Sequence, residues 1–237
     1  YIRESPNDRA GLMYMLGGCV DANSCNSNNN IIQVYKSSNP AFLSPNSSAL
    51  MDSPPIYGIG QTFTTLNEII YFNINGFVGS YDMRNEIYTF PYKTLLVTDI
   101  IEACTTNDNN NLYFIGGKNM NNISSNIFQV YNILNDIWET KPSINTARYY
   151  ASCNVISGSI YIIGGANENQ NGMGTIEQIN INTLNKWDTL SSVMTIPRLK
   201  HRSFVYKDLI YIVGGERWDN GNALNIITGL NTTTNNL

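Results

Sequence analysis

The sequence holds one histidine, His201, in a basic run, Arg198-Leu199-Lys200-His201-Arg202. A Ser/His/Asp site would need that imidazole poised between a serine and a carboxylate. No Gly-x-Ser-x-Gly elbow is present to offer the serine, so His201 reads as a solvated rim histidine. Asp99 and Glu102 come nearest to the carboxylate pair of glycoside chemistry, but no neighbouring pattern singles them out. The four cysteines include no Cys-x-x-Cys pair, and one histidine cannot complete a zinc set with them. Cys104 and Cys153 lie in alternating apolar segments and read as small buried hydrophobes. Cys19 and Cys25 share a polar loop and would form a loop disulfide in a secreted protein. The glycines are followed by Asn/Asp-rich loops rather than by helices, so they are not phosphate cradles. The loop at residues 167–172 lacks the alternating acidic spacing of a calcium site. The expectation is a chain with no catalytic residue set, no metal and no cofactor.

Composition narrows the partners. The chain has 237 residues, a net charge of −4 and only 14% charged residues, with 36 asparagines filling the polar share. An acidic, lysine-poor chain lacks the basic stripe of a nucleic-acid binder. No apolar run approaches the ~20 residues needed to span a bilayer. Asn46, Asn122 and Asn231 head Asn-x-Ser/Thr sequons. Roughly five or six would arise by chance at this composition, so they are possible glycosylation sites and no sign of secretion. The compartment stays open, with the cytoplasm slightly favoured. The chain starts at Tyr1 rather than Met, which suggests an excerpt with further domains elsewhere, or a chain that self-associates.

The elements that must position any site come from a repeat. An apolar run ending in Gly-Gly closes at Gly17-Gly18, Gly116-Gly117, Gly164-Gly165 and Gly214-Gly215, and Glu68 to Phe72 forms a degenerate copy. Tyr113, Tyr161 and Tyr211 are spaced 48 and 50 residues apart. A second marker, an aromatic at positions 42, 88, 138 and 187, recurs at intervals of 46, 50 and 49. Two markers with one period indicate a repeat array. Within a copy, residues 151–156 alternate like a strand and Ser157-Gly158 marks a turn. Ser159 to Ile163 forms a second apolar strand, residues 175–181 a third and residues 186–190 a fourth. The unit is a four-stranded meander, and no segment carries a helical period long enough for a major helix.

These residues resemble the kelch repeat: an apolar strand, Gly-Gly, then an aromatic pair such as Tyr131 and Trp138, with Pro197-Arg198 before the innermost strand. The resemblance covers nearly the whole chain. It implies an all-β, kelch-type β-propeller with about five four-stranded blades, either a compact five-bladed ring or part of a six-bladed one. The blade units fall at 1–52, 53–95, 96–145, 146–195 and 196–237, all within one domain. Gly116, Gly117, Tyr131, Trp138 and Trp187 are then scaffold.

The resemblance also implies a function. In kelch propellers of ubiquitin-ligase adaptors, residues at the start of the inner strands grip a peptide. The matching positions are Tyr150 and Lys200, two residues after Arg148 and Arg198, whereas the preceding copy departs from the pattern with Glu102 in that region. With Arg148, Arg198, His201 and Arg202 they form a candidate ligand-binding set for a protein or peptide, including one with an acidic motif. For Arg148 and Arg198 the alternative is that they brace the loops between blades. The reading is a non-catalytic recognition propeller, the substrate-recognition part of a larger adaptor. The alternative is a secreted or surface propeller that binds glycans or builds an extracellular assembly.

Overall fold

A computed structural model describes residues 62–74, 77–85, 87–94, 100–169, 171–191 and 193–237, with the backbones of four strands before them. The chain divides into two compact units, Tyr1–Ile59 and Gly60–Leu237. The first holds a four-stranded antiparallel sheet of β1 (Ile2–Ser5), β2 (Asp8–Leu16), β3 (Ile31–Lys36) and β4 (Ser47–Leu50) in chain order. This sheet is blade one.

The second unit repeats that meander. Blade two is β5 (Thr62–Leu66), β6 (Ile69–Ile74), β7 (Phe77–Asp82) and β8 (Ile87–Thr94). Blade three is β9 (Cys104–Asn107), β10 (Asn111–Ile115), β11 (Phe128–Asn132) and β12 (Ile137–Lys141). Blade four is β13 (Ser152–Ile156), β14 (Ser159–Ile163), β15 (Ile176–Asn180) and β16 (Asp188–Thr189). Blade five opens with β17 (Arg198–Leu199), then β18 (Arg202–Tyr206), β19 (Leu209–Val213), β20 (Glu216–Arg217) and β21 (Ile227–Asn231). There β18, β19 and β21 form a three-stranded sheet and β17 pairs with β20. Blade five thus has three main strands among the described residues, and none of those residues is helical. The inner strands β5, β9, β13 and β18 stand side by side.

The core lies between the blades, which explains why the second strands are apolar without a break. In β10, Leu112 and Phe114 pack toward blade two, against Tyr71 and Val78. Tyr113 and Ile115 pack toward blade four, against Ile160, Ile162 and Trp187. In β14, Ile160 and Ile162 face blade three, while Tyr161 and Ile163 face Ile210 and Ile212 of blade five. Alternate residues of a strand point to opposite faces, so a sheet covered on both sides needs apolar residues at every position.

The repeated aromatics are scaffold. Tyr131 and Trp138 are directly cross-strand, with ring centroids 5.0 Å apart. Trp187 is buried edge-on to Phe128, and its Nε1 donates to the Pro142 carbonyl at 2.9 Å. Gly164 and Gly165 have φ of +58° and +95°, a region that L side chains enter only at a cost. A Cβ on Gly165 would lie 2.6 Å from the Tyr149 carbonyl oxygen. That close approach lets the second strand end against the segment leading into β13.

One expectation is corrected here. Cys104 and Cys153 are buried, as small hydrophobes would be, but they are joined as a disulfide with a Cα–Cα distance of 5.9 Å. Their separation of 49 residues is one repeat, and neighbouring inner strands bring equivalent regions together. Cys19 and Cys25 lie outside the described residues.

Candidate functional site

In each of blades three to five, the chain enters the inner strand past the loop that follows the double glycine. Main-chain bridges tie the two segments: Ile101 to Lys118, Tyr149 to Ala166 and Leu199 to Glu216. The next residue in each lead-in segment is Glu102, Tyr150 or Lys200, with φ of +59°, +56° and +56°. Three non-glycine residues therefore hold a left-handed conformation at one repeat position. Each costs about 1–2 kcal/mol relative to ordinary geometry.

Two of them, Tyr150 and Lys200, line a cavity of about 380 Å³ with Lys118, Tyr149, Glu216 and Trp218, among others. The Tyr150 ring has an ammonium group near it from each neighbouring blade. Lys118 Nζ lies 5.3 Å from the Tyr150 ring centroid and 4.8 Å from that of Tyr149, while Lys200 Nζ lies 5.3 Å from Tyr150. These are cation–π distances. Each lysine also has a carboxylate. Lys200 Nζ donates to both Glu216 oxygens, at 2.9 and 3.2 Å. Lys118 Nζ lies 3.0 Å from Glu102 Oε2, an ion-pair distance without hydrogen-bond alignment. Burial, and then a hydrogen bond to Glu102, push the Tyr150 hydroxyl pKa above its ordinary value. Burial and the charges of Glu102 and Glu168 do the same for Tyr149. Both phenols stay protonated and can donate. Trp218 is 47% exposed and packs over Gly172 of the neighbouring loop.

The predicted set separates into a surface part and a buried part. Tyr150 and Lys200 lie in the cleft, while Glu102 is buried outside its lining and touches it through Lys118 and Tyr150. Arg148 is fully buried, with all five N–H groups engaged. Nε donates to Thr146 O at 3.2 Å, and Nη1 to Gly164 O and Thr175 O at 3.2 and 3.0 Å. Nη2 donates to Thr175 Oγ1 at 3.2 Å and to Glu177 at 2.5 Å. No donor is left for a ligand, so Arg148 is a brace. Arg198 occupies the same place one blade on, 1% exposed, reaching Gly214 O at 3.4 Å and Thr228 Oγ1 at 2.9 Å.

His201 is the clear correction. It is 1% exposed rather than solvated, because its register faces the blade four–blade five seam. Arg202 is exposed on β18 and does not line the cavity. Asp99, the other half of the carboxylate pair, lies outside the described residues. Of the sequons, Asn122 is exposed at the cavity edge. Asn231 is partly buried, its side-chain oxygen accepting from the Thr233 and Thr234 amides. Asn46 lies outside the described residues.

Lys118, Glu216 and Trp218 were missed. The available signal was positional, since Lys118 and Glu216 each directly follow a double glycine. An isolated tryptophan in a polar loop was the other.

Stacked four-stranded antiparallel meanders with a lined cleft at the start of the inner strands define a repeat protein of β-propeller-type blades. Residues 147–194 match the kelch motif family. The chain is 28% identical over 184 residues to the Kelch-like protein terF of Aspergillus terreus, covering 75% of this chain and 39% of that protein. It is 32% identical over 123 residues to alpha-scruin of Limulus polyphemus, covering 48% and 13%. It is 31% identical over 107 residues to an F-box/kelch-repeat protein of Arabidopsis thaliana, covering 44% and 28%. The motif match and all three relatives are of kelch type, so the chain is similar to kelch-repeat proteins, and it spans well under half of each of these relatives.

Proposed function

We propose that the chain is a non-catalytic recognition module whose cleft around Tyr150 binds a peptide segment of a protein partner. The observation that carries this reading is the set of three left-handed residues, Glu102, Tyr150 and Lys200. Glycine or asparagine would suit that backbone better, yet a carboxylate, a phenol and an amine stand there. Local strain retained at a cleft is a mark of function. Exposed Trp218 supplies the kind of aromatic anchor that dominates interfaces. The charges are balanced, because each lysine is already paired with a glutamate. That favours a segment with aromatic and polar side chains, and a single carboxylate competing with Glu216 for Lys200, over a run of acidic residues. The F-box/kelch-repeat relative supports a place in a larger adaptor.

The test is selection from a random-peptide phage library on immobilised protein. Tyr150→Ala with Trp218→Ala, both on the cleft surface, should abolish binding of the enriched peptides. Equal enrichment on this double variant would refute the reading. A second setting for the module, secreted or at the cell surface with glycan partners, is favoured by the Cys104–Cys153 bond, since structural disulfides persist mainly in oxidising compartments. Free thiols at both positions in the natural protein would remove that support.

A further inference from the structure

In blades three and four the residue after the left-handed position is alanine, Ala103 and Ala151, buried beside the second glycine of its own blade. In blade five it is His201. Its Cβ lies against Gly215, and its ring reaches across the seam to blade four: a Cβ on Gly164 would lie 2.8 Å from His201 Cε1 and 2.7 Å from Met194 Cε. Neither ring nitrogen closes a hydrogen bond. An imidazole has thus replaced a methyl group at a blade junction without gaining a partner, which is costly for a buried polar group.

We propose that His201 is an acid-released latch: protonation expels the imidazole from the seam and frees the lead-in segment that carries Lys200. A buried imidazolium needs a counter-charge, and the seam offers none. The charged groups acting on the ring are the guanidiniums of Arg198 and Arg202, both of which oppose protonation. The backbones of Ile163 and Arg198 oppose this by hydrogen bonding to the protonated ring, less than burial and the arginines act against it. From blade four, the residues packed on the ring, Gly164 and Met194, carry no charge. Glu216, next to Gly215, is taken by Lys200. Burial and these arginines hold the His201 pKa down at about 3, well below the ordinary 6.5. In the opened state the ring regains its ordinary value, so acid favours opening. The segment released is one wall of the cleft, because the Lys200 amide donates to the Tyr150 carbonyl at 3.0 Å. The latch would regulate the cleft, and its importance rests on the cleft being the binding site.

Hydrogen exchange at pH 7.5 and pH 5.0, corrected for intrinsic rates, tests it. Between an opened-state pKa of 6.5 and a closed-state value near 3, the opening constant of residues 198–203 should rise about 30-fold at pH 5.0. The equivalent segment at 148–153 should not change. His201→Ala, the residue of the sister blades, should abolish the rise. As a check independent of that variant, the single histidine's Hε1 resonance should not titrate near pH 6.5 in the folded protein. An equal rise in wild type and variant, or an ordinary titration without opening, would overturn the latch. Exchange is read without any peptide, so either result leaves the phage test of the cleft unaffected.

Discussion

The buried pair Arg148–Glu177 allows a quantitative test, because two sister blades do without it. Glu177 is fully buried and accepts from Arg148, from the Asn145 amide at 2.6 Å and from the Thr146 amide at 3.1 Å. The cross-strand registers place Ile100 and Gln129 of blade three, and Arg198 and Thr228 of blade five, at the same positions. Arg148→Ile alone leaves a carboxylate in the core with two amide donors and no counter-charge. Glu177→Gln alone leaves a guanidinium facing only carbonyls and a hydroxyl. Each should cost about 3–5 kcal/mol, the usual consequence of stranding one buried charge. The double variant recreates blade three's neutral pair. It should lose less than the sum of the singles by about 2–4 kcal/mol, since neither charge remains. Urea unfolding followed by tryptophan fluorescence reports on this region directly, because Trp187 lies over it: Asn145 Nδ2 donates to the Trp187 carbonyl at 3.1 Å. Single variants that each cost under about 1 kcal/mol, or a double variant that is additive within about 0.5 kcal/mol, would refute the claim that each charge is the other's only counter-charge.

Two further perturbations follow from the same seams. Breaking Cys104–Cys153 by the double Ala variant should lower stability by up to about 4 kcal/mol by the chain-entropy estimate for a loop of this length, read as a reductant-sensitive melting temperature in the wild type that the variant lacks. Gly164→Ala and Gly158→Ala both enter left-handed backbone, at φ +58° and +73°. At Gly158 no atom lies within 4 Å of the new methyl, whereas at Gly164 the Arg198 carbonyl lies 2.9 Å away. Thermal melts should therefore show about 1 kcal/mol lost at 158 and clearly more at 164, and equal losses would contradict the packing described.

How much of the site was legible depended on the register of each residue. Tyr150 and Lys200 could be found because they hold a fixed offset from Arg148 and Arg198 within the repeat. Their partners could not, because Lys118 and Glu216 meet Tyr150 only after loops of different blades come together. Arg148 was ambiguous until Glu177, 29 residues on, appeared beside it. His201 was misread because its sequence neighbours, Lys200 and Arg202, are polar and accessible, and that flanking character carried over to a residue whose side chain points the other way.

The period of 48 to 50 residues, the unbroken apolar second strand and the double glycines are local properties. They determined on their own that the chain forms repeated four-stranded β blades, because strand formation and tight close approach depend on residues near in sequence. Spacing placed Cys104 and Cys153 one repeat apart, but only the side-by-side packing of β9 and β13 turned that interval into a covalent bond. The same holds for the balanced charges of the cleft and for the buried imidazole. Each depends on which groups from separate blades share a seam, and the packing of one blade on the next decides that.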